Sequence, residues 1–86
     1  MDMETETTGP GAVQVVDCLG LACPLPIVRL AKAVAQCEVG GLVDLLADDP
    51  GARVDIPVWC RLKDQTFLGR DDRPGGGWVF HVRRAH

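Results

Sequence analysis

The stretch Cys23-Pro24-Leu25-Pro26 carries most of the chemistry visible in this sequence. Proline lacks a backbone N–H and is accepted in the first turn of a helix but not in its interior. Two prolines at this spacing therefore mark a helix start, with Pro24 at the first helical position and Cys23 as the N-cap. A helix N-terminus carries partial positive charge and unpaired amides. Both favour a thiolate over a thiol, and the thiolate is the nucleophile. Pro24 and Pro26 remove two donors, which leaves the amides of Leu25 and Ile27 to face the sulfur. Position alone leaves two readings open, a reactive thiol or an inert cap cysteine.

The second chemical cluster is Asp48-Asp49-Pro50-Gly51. These are turn-forming residues. They follow the C-terminal end of the second expected strand, as Cys23 follows the first. If those strands are parallel, both loops lie at one sheet edge, where α/β proteins usually place their sites. Asp48 and Asp49 would there face a basic partner surface. Turn chemistry is the plainer reading of the two aspartates, and the preferred one.

The elements that position these residues are read from periodicity. Residues 12–17, 42–47, 66–71 and 77–84 read as short strands. In the last, Trp78, Phe80 and Val82 alternate with Val79, His81 and Arg83. One helix covers 24–38, with Ile27, Leu30, Val34 and Cys37 on its apolar stripe and Gly40 and Gly41 ending it. A second covers 55–64, with Asp55 as N-cap and Pro57 in the first turn. Ile56, Trp59, Cys60 and Leu62 are expected to face the core. The order βαβαββ points to an α/β (α+β) two-layer sandwich. It has a four-stranded mixed sheet with both helices on one face.

Totals narrow the function. The chain has 86 residues, enough for one domain. Residues 1–11 read as a disordered tail and 12–86 as the single domain. The formal net charge is −3, and the tail carries three acidic residues and no Lys or Arg. The rest is balanced in charge, so strong direct nucleic-acid binding is not expected. No secretory signal or membrane-length apolar run is found. The reading is a cytoplasmic protein whose four cysteines stay reduced. The cysteines lack a Cys-x2-Cys pair, so no metal is expected, and neither His81 nor His86 is chosen as a base. Arg70, Arg73, Arg83, Arg84 and His86 give the C-terminal part a basic character, read as a solvated surface rather than a docking patch.

The run Asp17-Cys18-Leu19-Gly20-Leu21-Ala22-Cys23-Pro24-Leu25-Pro26 resembles the signature of the TusA (SirA-like) family, with its Gly-Leu-x-Cys-Pro-x-Pro core. Asp48-Asp49-Pro50-Gly51-Ala52 followed by Asp55-Ile56-Pro57 is a second match. The resemblance spans about residues 13–84 and implies the same βαβαββ sandwich. It also implies a sulfurtransferase-type sulfur carrier needing no cofactor. Cys23 accepts sulfur as a persulfide from a cysteine desulfurase or rhodanese-like donor and relays it to an acceptor protein. Gly20, Pro24, Leu25 and Pro26 are the supporting motif residues. The pathways served in the family include tRNA thiolation, cofactor biosynthesis and sulfur oxidation.

Cys18, five positions before Cys23, is either a resolving thiol or a small packed residue, and packing is favoured. Two rival functions follow. One is a regulatory or binding module in which Cys23 is structural and slow to alkylate. The other is a redox protein using a Cys18–Cys23 disulfide.

Overall fold

The computed structural model describes residues 13–86. The expected tail at 1–11 lies outside them. The elements are β1 (Val13–Cys18), α1 (Leu25–Gln36), β2 (Leu42–Ala47), α2 (Ala52–Leu62), β3 (Thr66–Asp72) and β4 (Trp78–Arg83). The strands form one sheet in the order β1-β2-β4-β3. β1 and β2 are parallel, whereas β4 runs antiparallel to both β2 and β3. The βαβαββ order and the mixed sheet are those read from the sequence.

The period-two alternation sorts side chains cleanly. Val43, Leu45 and Ala47 of β2 and Phe80 and Val82 of β4 are buried on one sheet face. Leu30, Ala33 and Val34 of α1 and Ile56 and Cys60 of α2 join them in a single cluster. Both helices therefore cover the same face. Ile27, Cys37, Trp59 and Trp78 pack partly against this core. Leu62 does not reach it and is 74% exposed. It is the last residue of α2 and lies off the Ile56–Cys60 stripe, so burying it would need a different helix rotation.

Several boundaries differ from the sequence reading, and three of the differences, at both ends of α1 and at the start of α2, have a local reason. α1 begins at Leu25, with Pro24 as its N-cap, one residue later than expected. Leu25 donates its amide back to the Ala22 carbonyl at 3.0 Å, closing a turn that holds Cys23 outside the helix. At the other end α1 stops at Gln36, before Gly40 and Gly41. The Arg84 guanidinium donates to the carbonyls of Ala35 and Cys37, satisfying groups that a helix C-terminus leaves unpaired. Arg84 thus serves as a cap rather than as part of a free basic patch.

α2 begins at Ala52, three residues before the expected start. Ala52, Arg53 and Val54 donate their amides to the carbonyls of Asp49, Pro50 and Gly51, so the turn winds straight into the helix. Asp55 is consequently a first-turn residue and not the N-cap. Pro57 lies inside α2 rather than in its first turn. The carbonyl that loses a partner to Pro57 belongs to Arg53, an exposed residue.

Candidate functional site

The parallel pairing of β1 and β2 sets Cys18 opposite Ala47, so the chain leaves both strands at the same edge. The β1–α1 loop and the β2–α2 loop are then tied together. The Gly20 amide donates to the Asp48 carboxylate at 3.1 Å, across 28 positions of sequence. Asp48 is thus a structural clasp between the two loops. Asp49 accepts the Gly51 amide at 3.1 Å, a local turn contact. The turn chemistry expected of the two aspartates is seen at Asp49, whereas the Asp48 carboxylate is used across the two loops.

Cys23 is half-buried where these loops meet. Its peptide bond to Pro24 is cis. Its thiol donates to Oδ2 of Asp55 at 3.0 Å. A Cβ placed on Gly51 would stand 3.1 Å from Cys23 Sγ, 2.9 Å from Asp49 Oδ2 and 3.9 Å from Asp55 Oδ2. The sulfur and two carboxylates therefore crowd around a position that has no side chain. Gly51 has ordinary helical angles, so it is space and not backbone conformation that calls for glycine here.

The electrostatics run opposite to the sequence expectation. The Cys23 thiol is pushed up to about 12, first by its hydrogen bond to Asp55, then by burial and by Asp49. A helix end amounts to about half a unit charge spread over several amides. Asp55 brings a full negative charge into direct contact with the sulfur, and it wins. The Leu25 amide, one of the two expected to face the sulfur, is spent on Ala22. Pro24 offers no side-chain cap.

The other cysteines are placed for packing. Cys18 is fully buried in the core, and burial pushes its thiol up. Cys60 is 1% exposed and pushed up to about 11 by burial alone. Cys37 caps the end of α1 and points its thiol at the Val34 carbonyl at 3.4 Å. All four are free thiols.

Of the residues singled out in the sequence, Cys23, Gly20, Asp48 and Asp49 meet at this edge, with Pro24, Leu25 and Pro26 opening α1 beside them. Pro26 is buried, while Pro24 and Leu25 are exposed. Sequence reasoning missed two roles. Asp55, read as an N-cap, is the partner of the cysteine, and Gly51, read as a turn residue, makes room for it. The signal for Asp55 was its place in the second motif, 32 positions from Cys23.

Comparison with known proteins agrees with this fold. The family described as Sulfurtransferase TusA matches residues 14–84. A putative sulfur carrier protein of Archaeoglobus fulgidus is 56% identical over 68 residues, covering 79% of this chain and 88% of that protein. The sulfur carrier protein TusA of Pseudomonas entomophila is 33% identical over 69 residues, covering 80% and 85%. Among solved structures, a SirA-like protein from Desulfitobacterium hafniense shares the fold with a TM-score of 0.74 at 24% identity, covering 86% of this chain and 99% of that one. With a βαβαββ sheet, a CPxP cysteine at the start of α1 and a family match across nearly all of the described residues, the chain belongs to the TusA family.

Proposed function

We propose that this protein is a sulfur carrier in which Cys23 takes up sulfur as a persulfide and hands it to an acceptor protein. Its relatives carry the sulfur-carrier name. The observation that carries the reading is the place of Cys23, a half-buried free thiol on the loop edge while Cys18 and Cys60 are sealed in the core. The thiolate of Cys23 attacks the outer sulfur of a donor persulfide. A new S–S bond forms on Cys23, the old one breaks, and the donor leaves as a thiolate that regains a proton. The relay step repeats this with an acceptor thiolate as nucleophile and Cys23 as leaving group.

The donor is of the cysteine desulfurase or rhodanese-like class, and donor and acceptor both dock at the loop edge. Leu25 and Val28, exposed by 46% and 58% on the first turn of α1, offer apolar contact area next to the thiol. Asp49 offers charge. Asp48 is engaged by Gly20, so its contribution to docking is secondary. None of the described helices is long and apolar enough to cross a membrane. A reducing cytoplasmic setting suits the four thiols. The rival Cys18–Cys23 redox pair would require a fully buried cysteine to leave the core, and burial weighs against it.

The test is intact mass after incubation with a cysteine desulfurase, cysteine and pyridoxal phosphate. The expected result is a gain of one sulfur that is lost on reduction and absent from Cys23→Ala. Equal sulfur uptake by wild type and Cys23→Ala would sink the proposal.

A further inference from the structure

We propose that Asp55 is a positioning residue that holds Cys23 as a protonated, aimed thiol in the free chain, with Asp49 as the second carboxylate of the same device. Its functional meaning rests on the carrier reading, but its chemistry does not. A thiol that must receive sulfur from one donor, and must not react with small electrophiles or oxidants, gains from being masked until that donor docks.

The geometry supports this in three ways. The Cys23 thiol has one strong acceptor, Asp55 Oδ2 at 3.0 Å, and this bond exists only while the sulfur keeps its proton. The charged groups that act on Cys23 are Asp55 from the first turn of α2 and Asp49 from the loop before it, both negative. α1 adds no acidic residue in its first turn, and among the described residues no cation opposes the two carboxylates at this sulfur. Lastly, the vacant Cβ position of Gly51 lets the sulfur and both carboxylates approach. Ionising Cys23 would place a third negative charge among them. A cationic group set beside Asp55 and Asp49 by a docked donor acts in the opposite sense and frees the thiolate.

The size of the effect follows from two opposed terms. Taking the thiol from about 12 to its ordinary 9.0 raises the thiolate fraction at neutral pH. The gain is roughly a thousandfold, offset by the lower nucleophilicity of the weaker base to a net of about thirtyfold. Asp49, burial and solvent screening leave about tenfold for Asp55 alone.

The experiment is peptide-mapped alkylation of Cys23 by iodoacetamide, with folding checked by circular dichroism. At pH 8, Asp55→Asn is expected to react about tenfold faster than wild type, and Asp55→Glu, which keeps the charge, close to the wild-type rate. Unchanged reactivity in Asp55→Asn overturns the proposal. So does equal acceleration in both variants, because that reports lost packing and not lost charge. Should the variants not fold, the wild-type profile decides. The masked thiol shows rates still climbing at pH 10, whereas a plateau near pH 9 overturns the idea. Slow alkylation of the wild type is shared with the rival structural reading of Cys23. Sulfur uptake from a desulfurase separates the two, and its failure would remove the carrier role while leaving the masking chemistry standing.

Discussion

Around Cys23 a missing side chain matters as much as those present. Alanine in place of glycine normally stabilises a helical position by about 0.4–1 kcal/mol through the unfolded chain. Gly51 adopts helical angles, so that gain is open to it. The new methyl would nevertheless sit 2.9 Å from Asp49 Oδ2, closer than real contacts allow, and 3.1 Å from Cys23 Sγ, a tight contact. The two short side chains must yield, while the backbone need not. Gly51→Ala is thus expected to leave stability within about 1 kcal/mol of wild type. It should slow sulfur uptake by Cys23 at least tenfold, since displacements near 1 Å can cost about a hundredfold. Thermal melts and timed mass measurements on the same protein check both halves. A normal uptake rate in this variant would show that the sulfur does not need its present position. At this scale the place of the cysteine just before the helix was legible, because the two prolines that follow it constrain the helix start. Its reactivity was not, because the deciding charge lies on another element.

At the scale of elements, strands and helices were legible where one period dominates. β4 alternates from Val79 to Arg83, and the Leu30–Val34 stripe lies where the sequence put it. The ends were less legible, because tertiary partners set them. Arg84 comes from beyond β4 to close α1, and no local pattern announces a cap 47 positions away from Cys37. The start of α2 was misplaced because Asp55 reads as a good N-cap, whereas the carbonyls of the Asp49–Gly51 turn already accept the first helical amides.

The β3–β4 connection is another such case. Its glycine-rich loop is held by Arg73, which gives its amide to the Gly77 carbonyl and its guanidinium to the Gly76 carbonyl. Gly77 closes it at φ +79, and a Cβ there would lie 2.8 Å from the Ala47 carbonyl oxygen. Without a side chain at Gly77 the hairpin lies close against the end of β2, directly before the Asp48 clasp. Gly77→Ala combines a left-handed backbone, costing roughly 1–2 kcal/mol, with a clash against main chain. A loss of about 2 kcal/mol or more is expected, seen as a Tm fall on the order of 10 °C. A fall of only a degree or two would mean that the hairpin moves freely relative to β2.

The described residues form two layers, and among them no helix covers the other face of the sheet. At its centre Asp44 of β2 lies directly opposite His81 of β4. His81 Nδ1 is 2.7 Å from Asp44 Oδ1, and Nε2 is 2.8 Å from Asp71 Oδ2 on β3. Both ring nitrogens face carboxylate oxygens, and only the imidazolium can donate through both at once. The hydrogen bond to Asp44 leads in pushing His81 above its ordinary value, partial burial opposes it, and Asp71 adds to it. Three adjacent strands are thus stapled by one proton on the face that lacks a second layer.

The sign follows from linkage. A raised folded-state value means the contribution is complete below the unfolded histidine's value, about 6.5, and is lost as pH rises through the folded one. The groups are partly solvated, with Asp71 78% exposed, so the two ion pairs together are worth about 1 kcal/mol. That corresponds to a Tm change of about 4–8 °C in a domain of this size. Melting wild type and His81→Gln from pH 5.5 to pH 8.5 checks it. The wild type should hold its advantage at the acid end and lose most of it by the alkaline end, with the dependence weakening as salt is added. Parallel curves for the two proteins would mean that the histidine staple contributes shape but no charge-dependent stability. Cys18, Cys23 and Cys60 should then link this fold to pH on the alkaline side. With their thiols pushed up, they withdraw stability as pH rises through about 9, where an unfolded cysteine ionises and the folded ones do not.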